Sequence, residues 1–256
     1  MNVILVLSPH LDDAAFSVGP LLAKLSGRTK IVVATVFTKT ESNLSDFALA
    51  CQLDKGIPAE IDYMAVRRKE DMEWSKRIGA AALHGAFAEA PHRGYESVKA
   101  LFGPILKTDM LGDSVGEWFI DLAETLKPRA ILCPIGVGDH IDHIWVRKIA
   151  EGLFHQKIPL FFFKDQPYSS KFNSFCINDY LNTEHLWREV KVPLCCDSIS
   201  QALFAATAYQ TQIPFQFGND DVMKITLGDA WMQHLSLFNA DLVVESNDSF
   251  LQTIFG

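Results

Sequence analysis

Two short stretches of the chain concentrate side chains that can bind a cation or move a proton. Residues 8 to 13 read Ser-Pro-His-Leu-Asp-Asp, and residues 140 to 143 read His-Ile-Asp-His. Together they supply His10, Asp12, Asp13, His140, Asp142 and His143. Two imidazoles and one carboxylate with a position left open form a known catalytic metal arrangement. Groups left over from such a set are free for acid–base work. Each stretch also has a plainer reading. Asp12 or Asp13 caps a following helix by accepting backbone N–H bonds, and the tetrad divides into one core histidine and one helix-cap contact.

The first stretch follows the apolar run Val3-Ile4-Leu5-Val6-Leu7, which reads as a buried strand. It precedes a helix over Asp12 to Ser26, with a potential break at Gly19-Pro20 and a closing glycine at Gly27. Lys30 to Phe37, KIVVATVF, is a continuous β-branched run of the kind a strand buried on both faces shows. Such a β-α-β unit implies parallel strands with a right-handed connection. The second stretch has the same placement, after the strand Ala130 to Cys133 and at the start of a helix from about Asp142 to Phe154. Ligands bind outside the carboxyl ends of strands in open α/β sheets, so the two loops are expected to converge there. The expected fold is α/β and Rossmann-like, a mostly parallel sheet with helices on both faces. Residues 1–164 form its core and carry the site, and a smaller C-terminal lobe, 165–256, completes the same domain.

Elsewhere, Ser42 to Lys55 and Ala59 to Ile78 read as helices, and Ala90 to Gly116 as mostly loop with one short helix. Glu117 to Leu126 reads as a helix ended by Pro128, and Ile158 to Phe163 as the last strand of the parallel set. Beyond Asp165 the pattern gives a strand near Leu186 to Val192 and a helix from Ser198 to about Thr211. Gly136-Val137-Gly138 lacks the third glycine and the acidic partner of a dinucleotide site.

Composition narrows the function classes. A chain of 256 residues that is 48% hydrophobic can bury a large core. Its net charge of -8 opposes binding to phosphate backbones, so nucleic acid is not an expected partner. Five cysteines without a CxxC pair fit neither a disulfide framework nor a zinc ribbon, which points to a reducing compartment. The apolar start lacks a basic segment and a cleavage site. Ile158 to Phe163 is far short of the roughly 20 apolar residues of a membrane helix. A soluble, cytoplasmic protein is expected, with the oligomeric state left open.

At this point the chain resembles the PIG-L/LmbE-like de-N-acetylases, zinc enzymes that remove acetyl groups from N-acetylglucosamine-type sugars. Pro9-His10-Leu11-Asp12-Asp13 resembles the opening His-Pro-Asp-Asp motif, and His140-Ile141-Asp142-His143 resembles the later His-Pro-Asp-His. Arg67-Arg68-Lys69-Glu70, followed by Ile78-Gly79, is similar to the family's Arg-x-x-Glu helix. Asp165-Gln166-Pro167-Tyr168 and Ala208-Tyr209-Gln210-Thr211-Gln212 are similar to its less specific later landmarks. The chain departs at Ala14, where the family often has Glu, at Ala202, where it often has Lys, and in lacking proline inside both metal motifs.

The resemblance implies that His10, Asp13 and His143 hold one divalent metal per chain, zinc first. Asp12 becomes the general base. His140, if protonated, shares the charge of an oxyanion, with Asp142 as the residue that orients it. Either Asp12 or His140 supplies the proton to the departing amine. Arg67 is implied as a substrate contact, against the alternative of a surface ion pair with Glu70 or Asp71. Asp165 and Tyr209 are read as structural or rim residues. The implied partner is a small N-acetylated sugar. Two rival readings stay open: a metal-dependent hydrolase of another amide or a phosphoester, and a non-catalytic sugar-binding protein of the same fold.

Overall fold

Four runs rich in Val, Ile, Leu and Phe build the centre of the sheet because they are apolar on both faces. The computed structural model describes residues 2–171, 179–181, 187–232, 234–240 and 254–255. In it these runs are β1 (Val3–Ser8), β2 (Lys30–Phe37), β4 (Ala130–Pro134) and β5 (Leu160–Phe163), with β3 (Ala81–Phe87) on the edge. They lie parallel in the order β3-β2-β1-β4-β5. Two further strands, β6 (Trp187–Pro193) and β7 (His234–Ala240), extend the sheet antiparallel, β7 on β5 and β6 on β7.

Helices cover both faces. They are α1 (Asp13–Leu25), α2 (Asp46–Asp54), α3 (Tyr63–Ile78), α4 (Val98–Leu101), α5 (Leu111–Leu126), α6 (Ile141–Phe154), α7 (Tyr168–Lys171), α8 (Cys196–Ala206), α9 (Ile213–Phe217) and α10 (Asp220–Trp231). Because side chains alternate along a strand, each buried strand feeds two cores. Ile4, Val6, Ile31, Val33 and Phe161 join a core with α1, α3, α8 and α10. Leu5, Leu7, Val32, Ile131 and Phe162 join a second with α5 and α6.

Helix ends shift from the sequence expectation at α3, which begins at Tyr63, and at α8, which spans Cys196–Ala206, and three further elements differ for physical reasons. β3 carries His84 and Gly85 at a sheet edge and leaves most side chains partly exposed, so neither an apolar run nor clean alternation marks it. α5 begins at Leu111 rather than Glu117. Its Gly112 and Gly116, which read as loop residues, are helix positions, and a Cβ at Gly112 would stand 3.0 Å from the Trp145 ring of α6. α1 runs unbroken through Gly19-Pro20. A Cβ at Gly19 would stand 3.4 Å from Ala202 Cβ of α8, an ordinary van der Waals distance, so α1 and α8 pack closely here. Pro20 lies buried inside this helix.

Strand order reverses between β1 and β4. β1 leads through β2 to β3 on one side, and β4 leads to β5 on the other. The loops after such a pair diverge and leave a crevice at the carboxyl ends, where open α/β sheets bind ligands. Residues 9–12 and 135–140 both open onto it.

Candidate metal centre

β1 ends at Ser8 and α1 begins at Asp13, so the intervening residues turn tightly. Ser8 Oγ fixes the turn, donating to the His10 carbonyl at 2.9 Å and accepting from the Ala14 N–H at 3.2 Å. Asp13 Oδ2 accepts the His10 backbone N–H at 2.8 Å. Asp12 holds the N-cap position yet makes no side-chain capping bond. Its carboxylate accepts instead from Arg67 Nη2 at 3.3 Å and from Gln216 Nε2 at 3.0 Å. On the other loop, His140 caps α6 by accepting the Asp142 N–H on Nδ1 at 3.3 Å, and His143 is fully buried. The tetrad's plainer reading therefore holds as local structure. It does not exhaust what these residues do.

Three donor atoms from the two loops form a nearly equilateral triangle. His10 Nδ1 lies 3.3 Å from Asp13 Oδ2 and 3.3 Å from His143 Nε2, and the latter lies 3.2 Å from Asp13 Oδ2. Ligands about 2.0–2.2 Å from a tetrahedral ion stand about 3.3–3.6 Å apart, so the triangle fits a small divalent cation. The outer face of each imidazole is held as metal-binding histidines usually are. His143 Nδ1 lies 2.6 Å from Asp165 Oδ1, and Asp165 Oδ2 accepts the N–H groups of Gly136 and Val137 at 2.8 and 2.9 Å. His10 Nε2 lies 2.9 Å from Asp142 Oδ2. Asp142, expected to orient His140, thus sends its carboxylate to His10 and gives His140 only its backbone N–H. A second group, His10, His140 and Asp142, also clusters. Its Asp142 already engages His10 Nε2 directly at 2.9 Å, so the triangle is the better donor set.

Burial and charge set the protonation of these groups. Burial lowers the His10 pKa, but hydrogen bonds and charge from Asp13 and Asp142 override it and push it up to about 9. Asp13 and Asp165 likewise raise His143 against burial, and the two imidazoles hold Asp13 well below the ordinary carboxylate range. The site therefore draws positive charge to the triangle. His140 differs: burial, helped by His10 and His143, depresses it to about 3 despite Asp142. That direction favours the neutral ring, whereas the charge-sharing role was conditional on a protonated one. Burial also raises Asp12 to about 6, with Arg67 opposing and Asp13 assisting.

These residues border a cavity of about 270 Å³ lined by His10, Asp12, Asp13, Arg67, His140 and Asp142, with Val98, Leu101 and Phe102 around α4, Tyr168, and Phe215 of α9. A cavity of about 260 Å³ adjoins it through Cys51, Lys55, Glu89 and Pro91. Arg67 is 4% exposed and bridges Asp12 and Glu89, with Nη1 2.6 Å from Glu89 Oε1. It makes no surface pair with Glu70 or Asp71. Glu70 accepts from Thr211, while Asp71 accepts the hydroxyl of buried Tyr209. Sequence reasoning assigned no role to Glu89, Gln216 or Arg93, and gave Asp165 only a structural one. The position of Asp165 just past β5 is the signal that could have promoted it. Replacing Asp165 with Asn should weaken metal affinity roughly 10–100-fold, measured by competition with a chelator. Unchanged affinity would remove Asp165 from the support of His143.

Comparison with known proteins places both loops within one match. The GlcNAc-PI de-N-acetylase family, PIG-L, matches residues 5–154. A 2′-N-acetylparomamine deacetylase from Streptomyces fradiae is 30% identical over 200 residues, 77% of this chain and 67% of that protein. The A40926 pseudoaglycone deacetylase Dbv21 shares the fold with a TM-score of 0.79 at 22% identity, over 95% of this chain and 98% of its own. The zinc-inhibited form of teicoplanin deacetylase Orf2 is similar, at a TM-score of 0.79 and 21% identity over 96% and 100%.

Proposed function

The chain belongs to the GlcNAc-PI de-N-acetylase (PIG-L) family, and from that premise we propose that it is a zinc-dependent hydrolase removing the acetyl group from an N-acetylglucosamine-type sugar or glycoconjugate. The observation that carries this reading is the donor triangle of His10, Asp13 and His143, set beside a carboxylate, Asp12, that stays outside it. When bound there, one divalent ion per chain supplies carbonyl polarisation and makes a neighbouring water more acidic.

The chain's own groups do the rest. Asp12, held by Arg67 and Gln216, takes a proton from the attacking water. Attack leaves negative charge on the former carbonyl oxygen. His140 meets it as a neutral donor, because Nδ1 accepts the Asp142 N–H and the ring proton therefore sits on Nε2. An imidazole whose pKa is depressed holds no second proton to give at pH 7, so Asp12 returns its proton to the leaving nitrogen. Arg67 lines the same cavity and takes two tasks, contacting the substrate and fixing Asp12. The sugar occupies the cavity at the triangle, and the rest of a conjugate extends into the adjoining one. Two-metal phosphoester chemistry needs a second donor set. Among the described residues the other candidate group shares His10 with the first.

No helix among the described residues is long and apolar enough to cross a membrane. Cys51, Cys133, Cys195 and Cys196 are unpaired, which suits a reducing cytoplasm. The deciding experiment assays zinc-loaded protein for free amine on N-acetylglucosamine, its conjugates and 2′-N-acetylparomamine. Release from at least one, lost on chelation and restored by zinc, is expected. Binding without hydrolysis across the panel would instead favour the sugar-binding reading.

A further inference from the structure

The segment 93–109 packs Tyr95 and Leu101 into a small core with Ala90 and Ile141, and its two ends meet at one clamp. Arg93 forks onto Asp109, with Nε 3.2 and 3.3 Å from the two carboxylate oxygens and Nη2 3.1 Å from Oδ2. The same carboxylate accepts the Tyr95 hydroxyl at 3.0 Å and Trp145 Nε1 of α6 at 2.9 Å. Between the clamped ends lie Val98, Leu101 and Phe102, part of the cavity wall.

Arg93 also reaches the other way. Its Nη1 donates to the Ala88 carbonyl at 2.8 Å and stands 2.8 Å from Asp142 Oδ1 as an ion pair without a hydrogen bond, while Asp142 Oδ2 accepts the Ala90 N–H at 3.1 Å and lies 2.9 Å from His10 Nε2. The Asp142 side chain has no solvent exposure, so its charge must be answered within the protein. A carboxylate in that place fixes the tautomer and the basicity of the opposite ring nitrogen, the one in the donor triangle.

Resting on the metal reading above, we infer that Arg93 and Asp109 are a positioning pair that couples the cavity wall to the metal-facing nitrogen of His10. Neither touches the reacting atoms. A wall drawn closed over a substrate steadies Arg93, hence Asp142 and His10, and an ion on His10 steadies the wall in return, since such coupling is reciprocal.

The test compares full-length wild type with Arg93→Gln, Arg93→Lys and Asp109→Asn, measuring zinc affinity by chelator competition and kcat and KM across a zinc titration. Arg93→Gln should weaken zinc roughly 10–100-fold, with kcat recovering in excess zinc and KM staying raised. Arg93→Lys keeps the charge but loses the fork and should fall between. Asp109→Asn should raise KM more than it weakens zinc. Wild-type zinc affinity in the folded Arg93→Gln and Asp109→Asn variants overturns the coupling, as does a loss of kcat that excess zinc leaves unrestored. If zinc-free melting shows Arg93→Gln unfolded, Arg93→Lys and Asp109→Asn decide by the same measures. A wild-type chain that binds no zinc overturns the metal reading and the coupling with it.

Discussion

Replacing Asp12 with Asn leaves metal uptake intact and lowers deacetylase turnover by roughly 10²–10⁴-fold, the usual contribution of a positioned general base. Asp12 stands outside the donor triangle, so its loss takes no ligand from the ion. Asn keeps the shape and can still accept from Arg67, whose second partner, Glu89 at 2.6 Å, is untouched. What disappears is a site for the water's proton. The pH profile gives an independent check. A base works only when deprotonated, and burial raises Asp12 to about 6, so kcat/KM should fall as the pH drops through a limb at or below that value. A nearby cation shifts the limb lower and never higher, because it favours the carboxylate. The residual rate of the variant should lack this limb. Undiminished turnover would sink Asp12 as the base, and depleted metal would place it among the ligands.

The two loops that carry the donor triangle were legible in the sequence because both sit where apolar runs end. Val3 to Leu7 and Ala130 to Cys133 are buried on both faces, which marks central parallel strands and places His10 and His143 at their carboxyl ends. The supporting residues were harder to see because they come from elements without a clean pattern. Glu89 follows β3, an edge strand hidden by His84 and Gly85, and Gln216 sits in the five-residue α9. Arg93 and Asp109 close a segment broken by Gly94, Gly103 and Pro104, where the pairing of its ends comes from tertiary contacts rather than periodicity. The protonation of His140 stayed open in the sequence for a related reason. Sequence shows the residue type, whereas its charge depends on burial beside two other imidazoles.

Replacing His143 with Ala should have the larger effect on the metal itself. Its Nε2 is one corner of the triangle, and removing it leaves only His10 and Asp13 from the protein, so affinity should fall well beyond the roughly 10–100-fold of a lost supporting contact. Elemental analysis of purified protein should show occupancy dropping from about one ion per chain toward none. Thermal melting reads the same loss without an assay. An ion at 100 times its Kd adds about 2.7 kcal/mol to the folded state, on the order of 5–10 °C for a chain of this size. The variant should lose most of that increment while its zinc-free melting point reports the packing cost alone. His140→Ala is the matched control, since His140 belongs only to the alternative group with His10 and Asp142. Retained metal in that control and lost metal in His143→Ala assign the ion to the triangle. The reverse pattern would move it to the other side of the His10 ring, where Asp142 could no longer serve as the support that couples His10 to Arg93.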